Sequence, residues 1–160
     1  MATFISHSPA ETEAFGCQFA KALRAGQVLA LKGELGAGKT KFVKGLVAGL
    51  DGAVEVTSPT FTLIHEYGGG RLTIYHLDFF RIEDEQSAER LGLDDCFFGD
   101  GISVVEWADK FEDVIPQNAI WITFETTSEH ERRITYQGLA ASRRPFPRDG
   151  PAAAGENAAC

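Results

Sequence analysis

Three observations place this chain in the α/β class, with a mixed β-sheet flanked by helices. The apolar run Gln27-Val28-Leu29-Ala30-Leu31 leads into Gly33-Glu34-Leu35-Gly36-Ala37-Gly38-Lys39-Thr40, and residues at helical spacing follow. Two alternating segments flank Gly68-Gly69-Gly70, which signals an antiparallel hairpin. A further apolar segment, Ile102-Ser103-Val104-Val105-Glu106-Trp107, ends on a carboxylate. Strand, loop and helix in that order give the α/β alternation, and the hairpin makes part of the sheet antiparallel.

The segment 33–40 fits the phosphate-binding pattern G-x-x-x-x-G-K-[ST] at every fixed position. Its glycines let the backbone wrap closely around a polyphosphate with amide N–H groups turned inward. Lys39 reaches the β- and γ-phosphates, and the Thr40 hydroxyl takes a place on Mg²⁺. A helix starting near Lys39 aims its positive dipole end at the anion. Gly33, Gly36, Ala37, Gly38, Lys39, Thr40 and Lys41 are therefore the candidate nucleotide-binding set. Phe42, Val43, Leu46, Val47 and Leu50 supply that helix with an apolar face.

The chain has 160 residues, which argues for one P-loop NTPase domain over 1–139. Hydrophobic residues make up 44%, enough for a core. The net charge of −8 disfavours a broad nucleic-acid or membrane surface. No apolar run reaches the length of a membrane span, and the N-terminus lacks a secretory pattern. Cys17, Cys96 and Cys160 have no metal-binding spacing and cannot all pair, so a reduced cytoplasmic protein is the simplest reading.

In chain order, Ser8-Pro9-Ala10-Glu11 reads as a helix start. Ser8 caps, Pro9 suits the first helical position and Glu11 completes a capping box. Ala14, Phe15, Phe19, Ala22 and Leu23 form its apolar face, and Gly26 is expected to end it. Its start is also a candidate for the nucleotide's base pocket. The second helix ends at Gly49-Leu50-Asp51-Gly52. In Val56-Thr57-Ser58-Pro59-Thr60-Phe61-Thr62-Leu63, Pro59 keeps Ser58 extended, so no helix runs through. Its hydroxyls fit a segment that senses the γ-phosphate, and equally a strand with β-branched filling.

The hairpin is expected to pair 62–67 with 71–77 across a three-residue loop. His65 and His76 have no ligand-spaced companions and read as packed or surface histidines. Residues 84–91 read as a short helix and 94–101 as a loop. Of the pairs Phe79-Phe80 and Phe97-Phe98, core burial is the default expectation, with a partner surface as the alternative. An acid at the end of a strand beside a phosphate loop holds Mg²⁺ or its water. Asp78 and Glu106 both fit, and the more apolar strand favours Glu106. Residues 119–124 and 133–136 are closing strands joined by a polar turn. From residue 140 to 160 the Pro-, Gly- and Ala-rich composition predicts a disordered tail.

No Asn-Lys-x-Asp or Thr-Lys-x-Asp follows the loop, so ATP is favoured over GTP. The chain is short for a kinase with an acceptor site and a lid, although motif chemistry leaves a small-molecule kinase open. A non-catalytic module assembled by ATP binding is the third reading.

The loop, Ser58-Pro59-Thr60-Phe61-Thr62-Leu63, Tyr75-His76-Leu77-Asp78 with Arg81, and Glu106-Trp107 occur in this order. Together they make the chain resemble the TsaE family (also called YjeE), the bacterial ATPase of tRNA threonylcarbamoyladenosine biosynthesis, over roughly residues 5 to 138. The resemblance implies a small phosphate-loop domain that hydrolyses ATP weakly alone and acts with TsaD and TsaB. That assembly places a threonylcarbamoyl group on N6 of adenosine 37 in tRNAs reading codons that begin with A. TsaD carries the transfer, and ATP hydrolysis by the TsaE member resets the complex. Carried over, residues 36–40 bind phosphates, Thr40 and Glu106 ligate Mg²⁺, and Thr60 lies in a switch-like segment. Asp78 orients or activates the attacking water, Arg132 or Arg133 contacts the nucleotide, and the helix start at Pro9 touches its base. Three positions depart from the family pattern. They are Lys41 for a second threonine, Phe80 for a tyrosine, and Ala108 for a proline after Glu-Trp.

Overall fold

The central strand is buried on both faces, and its successive side chains enter opposite sides of the sheet. Leu29 and Leu31 of β2 (Val28–Gly33) pack on one side, and Val28 and Ala30 on the other. The computed structural model describes residues 1–137, so the tail expected over 140–160 lies outside the described residues. Around β2 stand β1 (Ala2–Ser6), α1 (Pro9–Ala20), α2 (Lys39–Gly49), β3 (Ile64–Tyr67) and β4 (Ile74–Asp78). They are followed by α3 (Glu85–Glu89), α4 (Asp94–Phe97), β5 (Ile102–Glu106), β6 (Ile120–Thr126) and β7 (Arg132–Tyr136). The seven strands run β1-β7-β6-β2-β5-β4-β3. The centre, β6-β2-β5-β4, is parallel, while β3 and the β1-β7-β6 side pair antiparallel. The expected mixed sheet is thus present.

Helices α1 and α2 cover one face and cross at glycines. A Cβ on Gly45 would lie 1.9 Å from the Glu13 carbonyl oxygen, and one on Gly16 2.3 Å from that of Phe42. Only glycine permits this approach. Under the crossing, Phe15, Phe19, Phe42, Phe124 and Tyr136 are buried, with Phe4 stacked on Phe15 at 4.4 Å. Phe42 meets Phe19 at 5.5 Å and Phe124 at 5.6 Å, both edge-on, the orientation aromatic quadrupoles favour. The opposite face buries Leu77, Val105, Phe79, Ile82, Leu93 and Phe97.

Helix α1 begins as expected with Ser8 Oγ accepting the Glu11 N–H, but the Glu11 carboxylate accepts the N–H of His7, one residue before the cap, so the capping box is displaced by one position. It ends at Ala20, before Gly26, because residues 21–23 tighten into i→i−3 turns whose carbonyls Arg71 caps. The hairpin has shorter strands and a loop spanning 68–73. Gly70 and Arg71 are drawn to the end of α2, where Arg71 N–H donates to the Leu50 carbonyl at 2.6 Å. Residues 94–97 form a helical turn where a loop was expected. The strand β1 had no expectation attached. Each aromatic pair divides: Phe79 and Phe97 are buried, while Phe80 and Phe98 are exposed. Of the cysteines, Cys96 is free, and Cys160 lies outside the described residues. Among the described residues no helix is long and apolar enough to cross a membrane.

Candidate phosphate-binding site

The parallel register sets the site. Leu31 of β2 lies opposite Glu106 of β5, and Glu106 opposite Asp78 of β4. Three adjacent strands therefore deliver the loop 33–40 and two carboxylates to one edge of the sheet. Ligands of open parallel sheets bind beyond the carboxyl ends of their strands.

The loop turns on residues with positive φ, Gly33 at 151°, Gly36 at 77° and Gly38 at 105°, and Gly38 caps α2. Lys39 lies folded back over this turn. Its ammonium donates to the carbonyls of Gly33 at 2.6 Å and Glu34 at 2.9 Å, and stands 4.1 Å from the Trp107 ring centre. Burial lowers the Lys39 pKa from its ordinary value, and the charges of Glu106, Asp78 and Asp109 oppose that shift. Trp107 takes a left-handed φ of 58°, which turns the chain sharply after Glu106. Its indole also lies 5.0 Å from the Phe80 ring.

Thr40 Oγ1 donates to Glu106 Oε1 at 2.9 Å, across 66 residues of sequence. The same oxygen accepts from Nε2 of the buried His76 at 2.8 Å. Asp78 serves the neighbouring segment. Its Oδ2 accepts from Thr60 at 2.6 Å and Ser58 at 3.3 Å, and its Oδ1 accepts the Phe80 N–H at 2.8 Å. Residues 57–63 form no helix, as Pro59 requires, and strand pairing begins only at Ile64. Leu63 adopts a φ of 66°, and its N–H bonds to the Pro59 carbonyl at 2.6 Å. The hydroxyl segment is thus a loop pinned on Asp78.

The model of the family described as "Threonylcarbamoyl adenosine biosynthesis protein TsaE" matches residues 6–134. The chain belongs to the TsaE family. It is similar to a Bacillus subtilis protein named tRNA threonylcarbamoyladenosine biosynthesis protein TsaE, at 46% identity over 82% of each chain. A Treponema pallidum protein of the same name is 38% identical over 82% of this chain and 96% of its own. The solved structure titled "Crystal structure of Bacillus subtilus YdiB" superposes with a TM-score of 0.72 at 37% identity, over 86% of this chain and 85% of that one. The TsaE family is one of P-loop nucleotide-binding proteins.

In this TsaE member, Gly33 to Thr40, Thr60, Asp78 and Glu106 meet at one edge. Lys41 is exposed on the first turn of α2. Pro9 is exposed at the start of α1, and three residues on Thr12 approaches the loop: a Cβ on Gly38 would lie 3.4 Å from its methyl group. Arg132 donates to the carbonyls of Ser128, Glu129 and Glu131, and Arg133 pairs with Glu125 at 3.5 Å. Among the described residues neither guanidinium bonds to the loop, because the β6–β7 turn occupies Arg132 and Glu125 of β6 pairs with Arg133. Sequence reasoning missed Thr12, Tyr67 and Asp109. An acid three positions beyond Glu106 was the available signal for Asp109. Its Oδ1 is buried without a hydrogen-bond partner.

Proposed function

We propose that this chain is the ATP-binding and ATP-hydrolysing component of the machinery that forms N6-threonylcarbamoyladenosine at position 37 of tRNA. It acts with TsaD and TsaB in the cytoplasm and meets tRNA only through them, as its acidic charge favours. The catalytic unit is residues 1–139. The observation that carries the reading is the 2.9 Å contact between the phosphate-loop hydroxyl of Thr40 and the strand-end carboxylate of Glu106.

The donor set fits Mg²⁺. It offers a hydroxyl and a carboxylate, both hard oxygen ligands, and no group of three His, Cys, Asp or Glu among the described residues forms a closed cage. Mg²⁺ is ordinarily held this way, by few side chains plus phosphates and water. When bound, the ion supplies neutralisation of phosphate charge. Thr40 and Glu106 hold it. The amides of Gly36, Ala37 and Gly38, with Lys39, hold the phosphates, and Gly33 and Lys41 flank them. The start of α1 at Pro9 borders the base through Thr12, and the nucleotide is reached by Arg132 only after it leaves the β6–β7 turn, or by Arg133 only after it leaves Glu125.

Asp78 orients the attacking water, and Thr60 reports on the γ-phosphate. Asp78 is held by three donors from Ser58, Thr60 and Phe80, so its carboxylate is engaged before any water is positioned. That engagement supports weak turnover by the isolated chain and a requirement for partners. It also supports the ATP-gated module as the second reading.

The test is ATP turnover by the purified chain with Mg²⁺, alone and with TsaB and TsaD. The expected result is a low basal rate that rises with partners. A rate indifferent to partners, with phosphoryl transfer to an added small acceptor, would establish a kinase instead. Binding and complex function that survive Asp78→Ala without turnover would establish the gated module.

A further inference from the structure

Behind the Thr40–Glu106 contact lies a row of buried polar groups that phosphate binding does not account for. His76 is fully buried in the sheet, with 0% exposure. A buried imidazole needs polar neighbours at both ring nitrogens, and this one has them, although the Tyr67 hydroxyl beside it is shared with His65 Nδ1 at 3.2 Å. Nε2 lies 2.8 Å from Glu106 Oε1, and Nδ1 lies 3.3 Å from the Tyr67 hydroxyl. Tyr67 in turn donates to the Thr57 carbonyl at 2.8 Å. Burial pushes its phenol pKa up, which keeps the donor proton in place. The row therefore runs from Thr40 through Glu106, His76 and Tyr67 to Thr57. It crosses β5, β4 and β3 and ends at the head of the loop whose far part Ser58 and Thr60 tie to Asp78.

This arrangement restricts Glu106. A glutamate at a strand end has three side-chain torsions, and one hydrogen bond from a loop hydroxyl leaves it free to swing. A second bond from a rigid, buried ring fixes both its rotamer and the face it turns to Thr40. Orientation of a ligand by such an outer partner is what tunes metal sites generally.

We infer that His76 is a positioning residue: it sets the Glu106 carboxylate against Thr40 and, through Tyr67, couples that carboxylate to the backbone of the hydroxyl loop at Thr57. The inference rests on the proposed Mg-ATP reading of the site. A shift of Glu106 on ligand binding moves the imidazole, and the imidazole moves the Tyr67 hydroxyl that holds the loop. The loop thereby senses the metal side of the nucleotide at Thr57 as well as the Asp78 side at Thr60.

The experiment measures ATP affinity by calorimetry with Mg²⁺ and again in EDTA, for wild type, His76→Phe and His76→Gln. His76→Phe keeps the ring volume and removes both hydrogen bonds. It is expected to lose about tenfold in affinity with Mg²⁺ and to match wild type in EDTA. Gln retains a donor near the Nε2 position, so His76→Gln should recover most of that loss. Equal losses in both buffers, or no loss in either, would overturn the positioning role.

Tyr67→Phe tests the coupling without disturbing Glu106 directly, and it decides the question if His76→Phe does not fold. Hydrogen exchange over residues 57–63 should slow on adding Mg-ATP to wild type, and that gain should vanish in Tyr67→Phe. An undiminished gain would remove the coupling. If wild-type affinity itself were indifferent to Mg²⁺, the Mg-ATP reading would fail, and that result is separable from any difference between variants.

Discussion

Two regions on the helix-covered side of the sheet bury their side chains for opposite reasons. At the strand ends, Lys39, His76, Asp78 and Glu106 are all less than 5% exposed, and specific hydrogen bonds hold each of them. Under the α1–α2 crossing, Phe15, Phe19, Phe42, Phe124 and Tyr136 are buried through ring contacts. Burying charge costs free energy unless every charge is paired, whereas burying rings gains it almost regardless of detail. The rings hold the fold together, and the strand ends spend part of that stability on preorganised polar groups. Substitutions should therefore separate stability from binding cleanly.

The largest effect is expected at the rings. Phe42 touches rings on α1 and β6, so Phe42→Ala leaves a cavity that neither element can close. A loss of about 3–5 kcal/mol is expected, measured as a fall in the urea midpoint. Nucleotide affinity of the fraction still folded should be unchanged. If affinity fell without a loss of stability, the separation between the regions would break.

Close behind comes the helix crossing itself. In Gly45→Ala the new methyl meets the Glu13 carbonyl at 1.9 Å, so backbone must move. The expected cost is about 3 kcal/mol. This variant sharpens the comparison because α2 carries both the rings and the phosphate loop. Separating the helices should also tilt the start of α2, so affinity and stability should fall together here. The measurement is thermal melting with and without ATP.

Lys39→Met reverses the signs. It removes a buried charge and keeps the length of the side chain, so the melting temperature should hold or rise. ATP affinity should fall about thirtyfold, near 2 kcal/mol, the usual worth of a hydrogen bond to a charged group. Calorimetry and melting on the same sample check both signs. A destabilised Lys39→Met protein would mean that its carbonyl contacts hold the loop together even without phosphate.

The same contrast explains what the sequence makes legible. The phosphate loop is read from eight consecutive residues because its chemistry fixes their spacing. Asp78 and Glu106 are legible as strand ends, but the choice between them depends on the β4–β5 register, which only pairing reveals. His76 is packed, as its lack of ligand-spaced companions indicates, yet its partner stands 30 residues away and is invisible to spacing. The strand β1 is short, and its pairing comes from β7, 130 residues on, so nothing local announces it. The hairpin loop lengthens because Gly70 and Arg71 satisfy the end of α2, a tertiary demand that outweighs turn chemistry. Residues 94–97 become helical although two aspartates and a following glycine favour a loop.

The smallest expected effect lies outside both regions and tests whether an exposed charge behaves as either of them does. Asp84 caps α3, accepting the Ser87 N–H at 2.7 Å. That backbone hydrogen bond, first among the causes, lowers its carboxyl pKa below the ordinary 3.8. A carboxylate with a depressed folded pKa contributes stability above its unfolded value, and the contribution disappears as pH falls through the folded value. Asp84→Asn keeps the cap geometry and cannot titrate. Wild type should therefore be slightly the more stable at pH 6, and the advantage should close as pH drops below 3.8 towards the acid limit of the folded state. Urea midpoints of the two proteins across that range measure it. A gap that stayed constant with pH would assign the cap to hydrogen-bond geometry alone. A gap as large as the effect of Lys39→Met on binding would show that solvent screens this carboxylate no better than burial screens the site.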